Sequence, residues 1–297
     1  MDNYKKYLDP INISSVQNLE LRARLVVEGF ITGLHKSPYH GFSVEFSEHR
    51  SYQPGDELRY IDWKVFGRTN KFYVKQFEEE TNLRCTIAVD SSASMAYSSK
   101  GHIPKYEYAI YLASALAFMM NKQRDAVGLS VYNKDIVKYL PSRSKQSYVA
   151  QLIKALDEIK PSDTTGTAES LNILAERIKR RGLVIVISDF FDDIDSIIQG
   201  LRHFRHKGHE VLVFHTLDPR EIDFKLGPSA TFVDMESGDE LLTNPHQLQK
   251  AYSEAVQNFI SKFKELCYNN NIDYHLTLTN EPFDKTLLSF LTKRNKI

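Results

Sequence analysis

From about residue 83 onward the sequence keeps a rhythm that leaves few folds open: short runs of strand-forming residues alternate with amphipathic stretches of helical length. The runs are CTIAVD (85–90), AVGLSVY (126–132), GLVIVISD (182–189), HEVLVFHT (209–216) and IDYHLTL (272–278). LVIVIS is nearly all apolar, the pattern of a central strand covered on both faces. Helices are predicted between these runs at 105–122, 144–159, 167–181, 194–207, 245–268 and 283–293. The first has apolar residues at Ile110, Ala113, Leu116, Ala117 and Met120, and Pro104 sits where a first turn begins. NKDIVKYLP (133–141) stands between a strand and a helix with no crossover helix before it, and reads as a hairpin adding an antiparallel edge strand. The alternation predicts an α/β chain whose mainly parallel sheet is flanked by helices.

The first ~80 residues break the rhythm. After a predicted helix near 16–31 the pattern turns irregular, with FSVEF and KFYVKQFEEE alternating like strands and QPGDE forming a turn. There is no internal repeat and no low-complexity linker. The expected division is therefore an N-terminal segment, 1–81, packed on a main domain, 82–297. Within YQPGDELRYIDWK, Pro54-Gly55 makes the turn and Trp63 is expected as a packing anchor. Arg50, Arg59, Asp56 and Asp62 are expected to pair around it in a buried, satisfied junction, in preference to a partner surface.

Basic and acidic residues balance at 38 each, which argues against a binder of nucleic-acid backbones. A hydrophobic share of 42% and an aromatic share of 11% fit a chain with a real core. Cys85 and Cys267 lie far apart, with Cys85 inside an apolar strand run, so free buried thiols in a reducing compartment are expected rather than a disulfide. MDNYKKYLDP has no apolar signal-like core, and the longest greasy run, 109–120, is too short to span a bilayer. The expectation is a cytoplasmic protein without direct membrane insertion.

Ligands of parallel sheets gather at the carboxyl ends of strands. Three such ends carry oxygen donors here: Asp90-Ser91-Ser92-Ala93-Ser94, the loop PSDTTGTAESL (161–171), and Asp189 closing VIVISD. Hydroxyls and carboxylates without imidazole or thiolate suit Mg²⁺, Mn²⁺ or Ca²⁺ rather than zinc. In a tight loop, residues 90, 92 and 94 point the same way, so Ser92 and Ser94 would coordinate directly while Asp90 and Asp189 fix bound waters. The bland alternative is turn and cap chemistry. HFRHKGH (203–209) reads as a solvated helix C-terminus rather than a zinc site, and the acids of FFDDID as caps for the next helix.

This combination resembles the metal-ion-dependent adhesion site of von Willebrand factor A domains. In that motif a threonine lies six positions before an apolar helix residue, which by resemblance selects Thr165 ahead of Leu171. The upstream RSYQPGDELRYIDWKVFGRTNKFYVKQFEEE is similar to the signature of the domain of unknown function 58 family, in which a von Willebrand factor A-like domain follows such a segment. The resemblance spans roughly 40–290 and is most specific over 50–95. It departs at SDTTGT, where the pattern often has glycines before the threonine.

The resemblance implies a von Willebrand factor A-like Rossmannoid fold. It implies metal ligation by Asp90, Ser92, Ser94, Thr165 and Asp189, and a non-catalytic adaptor or chaperone-like role beside a MoxR-type AAA+ ATPase. A carboxylate of that ATPase or its client would complete the metal. The competing reading is a phosphoryl-transfer or hydrolytic enzyme using Asp90. Haloacid-dehalogenase-type enzymes need a second acid two residues on, where this chain has Ser92, and no phosphate loop, nucleophile elbow or H-E-x-x-H occurs. A structural assembly protein with a vestigial metal site is the third reading.

Overall fold

The computed structural model describes residues 9–16, 18–36, 50–51, 63–74, 83–162, 164, 166–225, 230–233, 240–243 and 245–294. In chain order these form α1 (Pro10–Ser14), α2 (Leu19–Lys36), β1 (Arg50–Ser51), α3 (Trp63–Thr69), β2 (Tyr73–Val74), β3 (Arg84–Asp90), α4 (Lys105–Lys122), β4 (Ala126–Tyr132) and β5 (Ile136–Arg143). There follow α5 (Gln146–Glu158), α6 (Thr167–Arg177), β6 (Leu183–Ser188), α7 (Ile194–His206), β7 (Glu210–Leu217) and α8 (Pro219–Asp223). The chain closes with β8 (Ala230–Val233), β9 (Glu240–Thr243), α9 (Pro245–Asn269), β10 (Asp273–Leu278) and α10 (Phe283–Arg294). Two compact units divide them: Met1–Gly33 with Leu83–Ile297, and Leu34–Asn82.

In the smaller unit β1 pairs antiparallel with β2. Phe66 of α3 stacks on Phe72 at 4.4 Å, and Trp63 meets the edge of Phe66 at 6.0 Å. Trp63 is 59% exposed, which corrects its expected role as a buried anchor. It opens α3 on a face that nothing described covers. Arg59, Asp56, Asp62, Pro54-Gly55 and FSVEF lie outside the described residues.

The larger unit is built on one sheet in the order β10-β7-β6-β3-β4-β5, parallel except for the β4–β5 hairpin at its edge. Every strand and helix predicted after residue 83 is present within a few residues. α6 ends early, at Arg177, because Ile178 turns to extended backbone while its N–H closes on Leu174. Two pieces were not foreseen: α8, closed by a capping box between Asp218 and Glu221, and the β8–β9 hairpin. The helix expected near 16–31 is α2, opened where Asn18 accepts the Leu21 N–H, and the short α1 before it was not foreseen.

α6, α7 and α9 cover one face of the sheet, where Leu171, Leu174, Ile197, Leu201, Phe204 and Phe263 pack on Val184, Val186, Val211 and Val213. α4 packs on β3, β4 and α5, and its Tyr108 stacks on Phe283 of α10 at 4.6 Å. From α2, Arg22 lies over Tyr111 and Arg24 over Phe118, while Ala23, Val26, Val27 and Phe30 form a buried stripe at helical spacing. Covered on so many sides, α4 is buried almost all round rather than amphipathic. Among the described residues no helix is long and apolar enough to cross a membrane. Both cysteines are free and buried.

Candidate functional site

The chain leaves β3 toward β4 and later returns on its other side as β6, so β3 lies at the switch point where the sheet's carboxyl edge opens. Register sets Asp90 abreast of Tyr132, Val89 of Ile187, and Ser188 of His215. Asp90, Ser188 and Asp189 therefore emerge together. After Asp90 the backbone turns at once: Ser91 N–H and Oγ both donate to the Tyr132 carbonyl, at 2.7 and 3.0 Å. Ser92 N–H donates to Asp90 Oδ1 at 2.8 Å, an Asx turn leading into a short 3₁₀ helix, Ala93–Ala96.

The turn brings the Ser92 and Ser94 hydroxyls to 3.1 Å from each other. Ser188 Oγ donates to Asp90 Oδ2 at 2.6 Å and accepts the Phe190 N–H at 2.9 Å. Phe190 holds a left-handed φ of 51°, a strained conformation for a bulky side chain, costing about 1–3 kcal/mol. Its buried ring, against Phe263 and His215, keeps it there. The Ser94 hydroxyl faces Asp189. Asp90, Ser92, Ser94 and Asp189 are thus one group, as the sequence pattern predicts.

Thr165 lies outside the described residues. The end of its loop is tied to the site: Ser162 N–H donates to the Ser91 carbonyl at 2.9 Å, and Asn133 Nδ2 donates to the Ser162 carbonyl at 3.2 Å. Gly166 passes so close to Lys134 that a Cβ would stand 2.7 Å from its Cα, so only glycine fits. Thr167, first in α6, is buried. The Tyr132 hydroxyl lies near those of Ser188 and Thr167, yet neither it nor Thr167 Oγ1 completes a well-formed hydrogen bond among the described residues. Asp193 caps α7 by accepting the Ser196 N–H, the role expected of the FFDDID acids. In HFRHKGH, His203 pairs with exposed Glu176 at 2.8 Å, whereas His209 is buried, not solvated.

Sequence reasoning missed the cation beside the site. Lys105 Nζ lies 2.7 Å from Asp189 Oδ2 and 2.6 Å from Glu221 Oε1, with its side chain 1% exposed. Glu221 Oε2 in turn accepts the Asp218 N–H, and Asp218 Oδ2 accepts the Ser99 N–H. No local signal marks it: Lys105 opens its helix just after Pro104, where a lysine ordinarily reaches solvent.

Burial alone would lower the Lys105 pKa, but the Asp189 and Glu221 carboxylates outweigh it and hold the ammonium charged. Burial pushes Asp189 up, and Lys105 more than reverses this, so Asp189 stays ionised. Asp90 is raised to about 7, by burial first and then by the Asp189 charge, against hydrogen bonds from Ser188 and Ser92. Asp90, Asp189 and Asp218 are all buried and Glu221 nearly so, and of these the Lys105 ammonium contacts Asp189 and Glu221. That negative charge and the paired Ser92 and Ser94 hydroxyls fit a hard cation. No cluster of three His, Cys, Asp or Glu side chains in metal-binding arrangement occurs among the described residues.

A family model described as protein of unknown function DUF58 matches residues 48–259. The chain belongs to the DUF58 family. An uncharacterized Mycobacterium tuberculosis protein is 28% identical over 233 residues, covering 77% of this chain and 73% of the relative. Among solved structures, an aerotolerance-related membrane protein from Bacteroides fragilis aligns with a TM-score of 0.51 at 19% identity, over 72% of this chain and all of that one. The VWA domain of SpRpn10 is also similar, at a TM-score of 0.40 and 10% identity, over 69% of this chain and 93% of that one. The fold of this DUF58 chain is a mainly parallel six-stranded sheet flanked by helices with one antiparallel edge strand, and it is shared with the Bacteroides fragilis protein.

Proposed function

We propose that the carboxyl edge of the sheet is a divalent-cation-dependent docking site and that the chain is a non-catalytic cytoplasmic adaptor for a MoxR-type AAA+ ATPase. The observation that carries this reading is the convergence of Ser92, Ser94, Asp90 and Asp189 on one buried, negatively charged group. Ser92 and Ser94 would hold Mg²⁺, Mn²⁺ or Ca²⁺, with Thr165 as the family motif has it, and Asp90 and Asp189 would orient its waters. A bound ion would supply a Lewis-acidic position for a carboxylate of the ATPase or its client. The MoxR partner rests on the family resemblance alone, an associational warrant.

The chemistry of Asp90 supports a binding role over phosphoryl transfer. Its Oδ1 is engaged by the Ser92 N–H and its Oδ2 by the Ser188 hydroxyl. Burial holds its pKa near 7, unlike a freely ionised nucleophile. Co-precipitation with a purified MoxR-type ATPase in Mg²⁺ or in EDTA, using wild type and Ser92→Ala, tests the reading. Binding in Mg²⁺ alone, lost in Ser92→Ala, is the expected result. Equal binding in all four conditions would remove the metal from the function. Phosphate-ester turnover by the wild type that Asp90→Asn abolishes would replace the adaptor with an enzyme.

A further inference from the structure

Lys105 is enclosed on every described side. Beside its two carboxylates, its ammonium lies 5.1 Å from the Phe191 ring centroid and 5.8 Å from that of Tyr97. Burying an ion pair this completely seldom adds net stability, since desolvation offsets most of the attraction. The same carboxylate that Lys105 holds is the one Ser94 faces, and Ser94 lies against Ser92. A fixed positive charge is therefore wired directly into the hydroxyl cluster, and it comes from α4, an element the oxygen-donor pattern does not include.

We propose that Lys105 sets the cation affinity of the site: by holding and neutralising Asp189 it makes a divalent ion bind weakly alone and depend on a partner's carboxylate. This rests on the metal reading above. Asp189 left free would offer a full negative charge to the ion; Asp189 paired with an ammonium offers little, and the ammonium itself repels a second cation. The ion then keeps most of its charge uncancelled by the protein. An acidic group brought by the partner is what balances it, so metal and partner bind as a cooperative pair. Lys105 is a positioning and specificity-determining residue on this view, and Glu221 is the anchor that keeps it off the hydroxyls.

The probe is Mn²⁺ alone, titrated into the full chain and followed by electron paramagnetic resonance. Lys105→Met leaves two buried carboxylates facing each other, so the informative comparison is Lys105→Met/Glu221→Gln against Glu221→Gln, with circular dichroism confirming that each is folded. Loss of the ammonium should tighten Mn²⁺ binding about tenfold or more, and Ser92→Ala added to the double variant should remove the gain. A purely structural lysine would not produce tighter binding. If wild type and Glu221→Gln bind Mn²⁺ and the double variant binds equally or more weakly, the role given to Lys105 is overturned while the metal reading stands. If only the double variant binds, Lys105 is upheld, because the native site is then too weak to hold the ion without a partner's carboxylate. If no form binds, both fall.

Discussion

The two edges of the central sheet handle charge in opposite ways. At the carboxyl edge Asp90, Asp189 and Asp218 are buried, and the Lys105 ammonium pairs with Asp189. At the amino edge charges are as numerous but wet: Arg205 Nη1 pairs with Glu210 Oε2 at 2.8 Å, and Lys207 with Glu176 at 2.6 Å, all four side chains being partly to well exposed. Lys179, Arg180 and Arg181 beside them are exposed as well. The same ion-pair distance thus means different things at the two ends. In water an ion pair is a decoration worth little; walled off from water, one charge fixes the state of every neighbour.

The sharpest way to break the comparison is to remove one charge from the buried set. Lys105→Met should cost about 3–5 kcal/mol in urea unfolding, because it strands Asp189 and Glu221 without a counter-ion. Adding Glu221→Gln should recover part of that loss. A cost below about 1 kcal/mol would mean that water reaches the carboxyl edge and that the two edges do not differ.

A second, smaller effect tests the same contrast through pH. His215 lies on β7 at the carboxyl edge, its Nδ1 2.7 Å from the Tyr274 hydroxyl and its ring among Phe190, Phe259 and Phe263. Burial lowers its pKa from 6.5 to about 4, against the attraction of Asp189. The unfolded chain binds a proton below about 6.5 that the native chain refuses until about 4. His215 thus contributes stability that is fully present above 6.5 and is lost as pH falls through that window. Between pH 7 and pH 5 the loss is about 2 kcal/mol. Between the two pH values the wild type should lose about 2 kcal/mol relative to His215→Gln, the other titrating groups, Asp90 among them, cancelling in the comparison. A pH response equal in both would place His215 in contact with solvent.

These contrasts also mark what the sequence could and could not disclose. The strands were legible because LVIVIS is apolar on both faces and its companions are short β-rich runs set between stretches of helical length, the pattern of a covered parallel sheet. Asp90, Ser92, Ser94 and Asp189 were legible as a group because each ends or follows such a strand, and strand ends in one parallel sheet converge. Lys105 and Glu221 were not, being 116 residues apart and joined only by where α4 and α8 meet the sheet. Nothing local in KYEYAIYL distinguishes a buried lysine from one reaching solvent at a helix start. Trp63 failed for a related reason: a tryptophan among alternating charges reads as an anchor, but its surroundings decide its burial, and α3 turns it outward.

The weakest prediction belongs to the amino edge. Arg205 reaches Glu210 and, with the same Nη1, the His209 carbonyl at 2.8 Å. The geometry is as close as that of Lys105 and Asp189, so distance alone predicts equal importance. The Arg205 and Glu210 side chains are 26% and 36% exposed, however, and water and salt screen them. Glu210→Gln keeps the side chain's length and removes only its charge, and the carbonyl of His209 still accepts from the guanidinium. Its cost should be about 0.2–1 kcal/mol in low salt and should shrink further in 0.5 M NaCl, whereas the cost of Lys105→Met should hardly change with salt. A salt-independent loss of 3 kcal/mol or more for Glu210→Gln would show that exposure does not separate the two edges, and that hydrogen-bond geometry governs both.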